Sequence, residues 1–343
     1  EAGSRDTLQA NLLTLQAWRH WQAGRVEAAA QALAQGWALA AHTRYYQLLA
    51  PLRTALAELA AFALDQAIEP AFARELIRRR QLEPPRASAG GWPWPLRITT
   101  LGRFAVQVDG DALVFAGKVP KKPLALLRAL IALGGHTVPQ HALIDALWPD
   151  DEADAAHDAF NVALHRLRKL LPRGAQALVL QDGALSLNPA LCWTDAHAFE
   201  LLAAPAFAPA PADTAALLDT LGRALALYGG HFLVDDADAP WAISTRERLR
   251  ARFNQALMRR GAALGDAGAH EEALACYRQG LEVDDLNEAF YQGAMRCCLA
   301  LRRPAEGLAA YQRLRRMLSI VLRVAPSAHS ESLHERLRGL GIG

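Results

Sequence analysis

Residues 153–187, ADAAHDAFNVALHRLRKLLPRGAQALVLQDGALSL, spell a helix, a stop and a hairpin in one pass. Phe160, Leu164, Leu167 and Leu171 recur at i, i+4, i+7 and i+11, the spacing of one buried helical face. Asn161, His165 and Arg168 recur at i, i+4 and i+7 on a different face, flanked by Arg166 and Lys169. Pro172 stops the pattern, which predicts a helix over Ala153 to Leu171. Two short apolar runs, Ala177 to Leu180 and Ala184 to Leu187, then flank Asp182-Gly183, a strong hairpin turn.

Working upstream, Gln140 to Trp148 reads as a second helix. Pro123 to Leu133 reads as a first, ended by Gly134-Gly135. Before them, Leu96 to Leu101 and Phe104 to Val108 have strand composition. Asp109-Gly110 signals a hairpin into Leu113-Val114-Phe115. Sheet, three helices, hairpin is the order of a winged helix-turn-helix, here over residues 96–195.

A third helix with one apolar and one polar face suits the major groove. Asn pairs bidentately with adenine and Arg with guanine. Arg168 serves equally well on a phosphate. His165 is more ambiguous, because a lone helical His is usually structural or merely exposed. Its neutral ring still donates and accepts hydrogen bonds.

The cations add a second signal. Only four of the 37 basic residues are Lys, and Lys118, Lys121, Lys122 and Lys169 fall in one window of about fifty residues. The first three lie at the start of the first helix, where a cation opposes the helix dipole. A phosphate partner would explain that conflict, and so would an exposed loop. Against tight DNA binding, residues 96–195 hold ten basic and ten acidic side chains. Asp150, Asp151, Glu152, Asp154 and Asp158 crowd the turn before the third helix. The wing tip Gln181-Asp182-Gly183-Ala184 carries no basic residue for the minor groove.

Both flanks read as helical. In residues 1–82, Leu8, Leu12, Leu15 and Trp18 recur at helical spacing and mark an expected core face. Further helices are expected at Ala28 to Leu39, about 45–65 and about 70–80. The run Arg78-Arg79-Arg80 reads as a solvated helix end, with a phosphate contact as the alternative. Residues 83–95 hold four prolines and Gly90-Gly91, a linker that Trp92 and Trp94 would pin down.

Residues 196–343 are helical after a Pro-rich loop at Ala203 to Pro211. Glu272-Ala273-Leu274-Ala275-Cys276-Tyr277 recurs as Glu306-Gly307-Leu308-Ala309-Ala310-Tyr311, an offset of 34, the tetratricopeptide (TPR) period. Gly24, Ala29 and Leu33 share the spacing of Gly268, Ala273 and Tyr277. Trp241 is an expected core anchor. Arg246, Arg248, Arg250 and Arg252 are expected to form solvated salt bridges.

These residues resemble a known arrangement. Leu101-Gly102-Arg103-Phe104, Ala146-Leu147-Trp148 and Leu164-His165-Arg166-Leu167-Arg168-Lys169-Leu170-Leu171 resemble an OmpR-like winged helix. Ala239-Pro240-Trp241, the 34-residue repeat, Tyr311-Gln312-Arg313-Leu314 and Pro326-Ser327 resemble the bacterial transcriptional activator domain. Together they are similar to SARP-type regulators, over about 235 of the 343 residues. The first 82 residues resemble the region preceding this module in large MalT-like regulators, which carry an upstream ATPase.

The resemblance implies a mainly α fold with a small β component, and a sequence-specific regulator of transcription in the cytoplasm. Its partners would be double-stranded DNA, RNA polymerase, upstream domains of the same protein and a second copy. Asp150, Asp151 and Glu152 would touch a partner, as the matching loop does in related activators. The competing reading is a TPR-type interaction scaffold whose winged helix no longer binds DNA.

Other classes fare worse. At 52% apolar residues the chain is too hydrophobic for disorder, and no apolar run approaches a membrane span. A net charge of +2 argues against a general nucleic-acid coat. No GxSxG, HExxH or GxxxxGK[ST] motif occurs, so no enzyme and no cofactor is expected. Cys192, Cys276, Cys297 and Cys298 form no CxxC pair and are expected as buried thiols without metal.

Overall fold

The computed structural model describes residues 2–85, 91–114, 119–209 and 213–340. The chain divides into two units. The first comprises residues 1–98 and 105–194, the second residues 99–104 and 195–343.

The first unit opens with α1 (Ala2–Gln22), α2 (Val26–Thr43), α3 (Arg53–Asp65) and α4 (Pro70–Arg80). The leucine stripe of α1 corrects the sequence reading. Leu8, Leu12 and Leu15 are 69%, 56% and 39% exposed, while Ala10, Thr14 and Ala17 are fully buried. Small side chains let α1 and α2 approach closely. A Cβ on Gly36 of α2 would lie 2.9 Å from the Leu13 Cβ. Close approach through small residues therefore outweighs burial of the larger leucines on this face.

The helix expected from about residue 45 starts only at Arg53. Residues 44–52 are a loop with Arg44 and Leu49 in the left-handed region. Its carbonyls are satisfied by Arg80, whose guanidinium donates to Tyr46, Leu48 and Ala50. Arg79 stacks on the Tyr46 ring at 4.5 Å and pairs with Glu75. Two of the three consecutive arginines thus have intramolecular partners, and Arg78 is exposed. Trp92 and Trp94 are buried, as expected of pins. The Trp94 Nε1 donates to the Pro189 carbonyl at 3.1 Å.

The winged helix follows as β1 (Leu96–Thr99), β2 (Ala105–Val108), β3 (Asp111–Ala112), α5 (Lys121–Ala132), β4 (Val138–Pro139), α6 (Gln140–Leu147), α7 (Ala153–Leu170), α8 (Gly174–Ala177), β5 (Leu178–Gln181), β6 (Ala184–Leu187) and β7 (Cys192–Thr194). Two sheets form, ordered β3-β2-β1-β7 and β4-β6-β5. The strand expected at residues 113–115 is instead the short β3. Phe115 lies outside the described residues. β7 pairs parallel with β1, Leu96 opposite Cys192 and Ile98 opposite Thr194. Asp182 (φ 50°) and Gly183 (φ 73°) both take positive φ, as a two-residue type I′ hairpin turn requires.

The second unit comprises α9 (Asp195–Ala203), α10 (Thr214–Leu227), α11 (Pro240–Asp266), α12 (His270–Val283), α13 (Glu288–Ala300), α14 (Pro304–Met317) and α15 (Ala328–Leu340), with a π-helical turn at Leu318–Leu322. Residues 99–104 belong to it through Asp195. This buried carboxylate accepts hydrogen bonds from Thr100 N, Thr100 Oγ1, Leu101 N and Ala196 N at 2.7–2.8 Å. Burial pushes the Asp195 carboxyl above its ordinary range, against the opposing pull of those hydrogen bonds.

The 34-residue repeat is a real structural repeat. Tyr277 and Tyr311 are buried at matching positions. Tyr311 stacks on His334 at 4.0 Å and donates to Glu331, tying α15 to α14. The turn before each repeat is also the same. Gly268 has φ +79°, and Arg302, 34 residues on, has φ +56°. Gly24, before α2, has φ +69°, so the weaker N-terminal match shares this turn. The left-handed region costs a non-glycine residue about 1–2 kcal/mol. Arg302→Gly is therefore expected to raise stability by about 0.5–1 kcal/mol, read as a higher melting temperature by circular dichroism.

Two further expectations meet different outcomes. Trp241 is half-buried rather than a fully buried anchor. Arg248 and Arg252 pair with Glu200 and Arg250 pairs with Glu247, whereas Arg246 donates to the carbonyls of Phe232, Leu233, Asp236 and Ala237. All four cysteines are buried and free. Among the described residues, no helix is long and apolar enough to cross a membrane.

Candidate nucleic-acid interface

Helix α7 decides what this region offers. Its Ala156, Phe160, Ala163, Leu164 and Leu167 are buried, and it packs on α5 and α6. Opposite them, Asn161, His165, Arg166 and Lys169 are exposed. One turn of helix brings positions i, i+3, i+4 and i+7 to one side. By that rule Asp154, Asp158, Asn161, Val162 and His165 share this face, and all five are exposed. The face therefore runs from acidic at its N-terminal end to basic at its C-terminal end. Val162, 50% exposed, sits between them as its apolar member. Three residues before Asn161 and His165 stand Asp158 and Val162, and seven before Asn161 stands Asp154, so the same helical spacing places all three on this face.

Arg168 departs from the expected polar face. It is half-buried, and its Nε and Nη2 donate to the Leu178 carbonyl at 3.2 and 2.8 Å. The guanidinium braces α7 against β5 instead of standing free. The reason is angular, since position 168 borders the buried Leu164 side of the helix.

The lysines separate in the same way. Lys122 lies in the first turn of α5. Its Nζ donates to the Leu147 carbonyl at 3.1 Å and stands 5.1 Å from the Trp148 ring. Its charge therefore meets the C-terminal carbonyl end of α6, which relieves the dipole conflict without any outside partner. Lys121 is exposed, and Lys118 lies outside the described residues.

The wing and the helices are tied together by the backbone. Gln140 N donates to the Gly183 carbonyl at 2.8 Å, so the wing turn meets the start of α6. The Gln140 side chain lies 3.2 Å from His157 Nδ1 of α7. Thr137 N donates to Ser186 Oγ at 2.7 Å. The two-residue strand β4 makes this frame possible, and its brevity hid it from the sequence reading. The turn from α6 to α7 leaves Asp150, Asp151 and Glu152 exposed. Among the described residues, no group of three or more His, Cys, Asp or Glu is placed to hold a metal.

Residues 194–338 match the bacterial transcriptional activator domain. The chain is also 31% identical over 250 residues to the regulatory protein AfsR of Streptomyces coelicolor, and 29% identical over 243 residues to AfsR of Streptomyces griseus. Each alignment covers 71% of this chain but 24% of the relative, so the chain spans about a quarter of the curated relatives it matches. Among solved structures, Mycobacterium tuberculosis EmbR, in complex with a low affinity phosphopeptide, has a similar fold. The TM-score is 0.57 at 21% identity, covering 71% of this chain and 65% of that one. The similarity to SARP-type regulators read from the motifs is borne out by these matches.

Proposed function

We propose that the chain is the DNA-binding and signal-transmitting part of a transcriptional regulator, acting by binding and not by turnover. The observation that carries this is the exposed face of α7, where Asn161, His165, Arg166 and Lys169 stand beside a framed wing. Asn161 and Arg166 read base edges in the major groove. Lys121 and Lys169 hold phosphates, and Arg168 and Lys122 keep the reading helix in place. Asp150, Asp151 and Glu152 form a protein contact, with RNA polymerase as one partner. The regulatory names of the two relatives support the reading.

A scaffold without DNA binding is the second reading. The equal numbers of acidic and basic side chains in residues 96–195 favour it. Selection from random duplexes, followed by gel shift at several salt concentrations, separates the two. The first reading expects an enriched motif. It also expects about 10–100-fold weaker binding for Asn161→Ala or Arg166→Ala, from about 1–3 kcal/mol per bidentate base pair contact. Lys121→Ala should weaken all sequences alike and lower the salt slope by about one. Absence of any shift at low salt, unchanged in an Asn161/Arg166 double alanine variant, overturns it.

A further inference from the structure

Charge in this chain is far more segregated than its total of +2 suggests. Residues 129–165 hold six carboxylates and neither Lys nor Arg. All six are exposed, and four of them lie at positions 150–154, directly after the exposed Pro149. Residues 296–340 hold nine arginines against three glutamates. Two of those arginines converge on a groove. Arg296, Leu299 and Ala300 of α13 and Arg336, Gly339 and Leu340 of α15 line a cavity of about 650 Å³. Its walls carry no carboxylate. Arg296 lies 3.5 Å from His329 Nε2, and Arg336 has no ion-pair partner among the described residues.

We propose that this groove receives the acidic turn Pro149-Asp150-Asp151-Glu152 of a second copy of the chain. The rim supplies two guanidinium forks, the group best matched to carboxylates. The floor supplies Leu299, Ala300 and Leu340, with Leu340 46% exposed. Exposed ion pairs alone contribute little, so an apolar element must accompany them. Pro149, at the head of the turn, supplies it. A phosphate backbone would match the arginines but leave the apolar floor without a partner. The turn is exposed at all four positions, so it enters the groove without unfolding.

The two surfaces are different, so the contact is head-to-tail. Each copy then offers one groove and one turn, and copies join in a row instead of closing as a symmetric pair. A short turn in a single groove belongs among weak, reversible interfaces. The inference rests on reading Asp150, Asp151 and Glu152 as a protein contact. It does not rest on DNA binding, and its test is run without DNA.

The test is sedimentation of the chain over a concentration series at low and high salt. Wild type is expected to associate with concentration, less at high salt. Arg296→Glu/Arg336→Glu and Asp150→Lys/Asp151→Lys should each weaken association at least tenfold, with melting curves unchanged. The variant carrying all four reversals should recover it, because the charges match again. Leu340→Asp should weaken association while leaving all the paired charges in place. A wild type that stays monomeric overturns the proposal, as does a four-reversal variant that fails to recover. Reversal of Arg296 and Arg336 that leaves association intact would likewise overturn it.

Discussion

Asp195→Ala is expected to destabilise the second unit by about 3–5 kcal/mol, the largest effect of any single change considered for this chain. The carboxylate is 3% exposed and serves four donors: the amides of Thr100, Leu101 and Ala196, and the Thr100 hydroxyl. Truncation leaves all four in a dry site, and each buried unsatisfied donor costs about 1–3 kcal/mol before relaxation. Asp195→Asn keeps the shape but replaces one acceptor oxygen by a donor. It is expected to lose about half as much. Thermal and urea melts of the two variants check the order. Equal melting of wild type and Asp195→Ala would show that the hub does not hold residues 100–101.

Gly293→Ala is the second large effect, and its sign is unusual. In an ordinary helix interior, glycine to alanine gains up to about 1 kcal/mol. Here a Cβ would lie 2.5 Å from the Tyr277 ring. Gly261 of α11 also meets this ring, where a Cβ would stand 2.8 Å away, so the ring has little room to withdraw. Overpacking of this kind typically costs about 1–3 kcal/mol. Gly265→Ala is the internal control. It lies in α11 with nothing within 4 Å of its Cβ, so it should stabilise the unit. Opposite signs in matched melts would establish that Tyr277 is clasped between α11 and α13. Tyr277→Leu should restore stability to Gly293→Ala if the ring is the obstacle.

Much of this was legible in the residues. The face of α7 was legible because an 18-residue amphipathic helix repeats its pattern several times over. The wing turn was legible because Asp-Gly suits positive φ at both central positions. The tyrosine repeat was legible because its period is fixed by the size of one helical hairpin. The misreadings share a cause, which is that periodicity gives a face without its partner. The leucines of α1 looked like core, yet helix contact there is made by Ala10, Thr14 and Ala17. Arg168 looked like part of the reading face, but a carbonyl of β5 lies within its reach. Lys122 looked like a phosphate contact, and the end of α6 takes its charge. Strands β4 and β7, of two and three residues, are held by pairing across long sequence separations and leave almost no local pattern.

The second unit is interrupted in sequence, with residues 99–104 and residues 195–343 separated by the whole run 105–194. This has a consequence for the order of folding. Residues 99–104 leave the ribosome long before the aspartate that will hold them. Bridging about ninety residues adds loop-closure entropy that local helix pairing never meets, and long-range contacts of this kind slow folding. The helical hairpins after residue 240 close locally, so they can form early, while the Asp195 hub closes late. A gene fragment cut at residue 196 would lose both the aspartate and its ligands. It should express as helices whose first member, α9, is frayed.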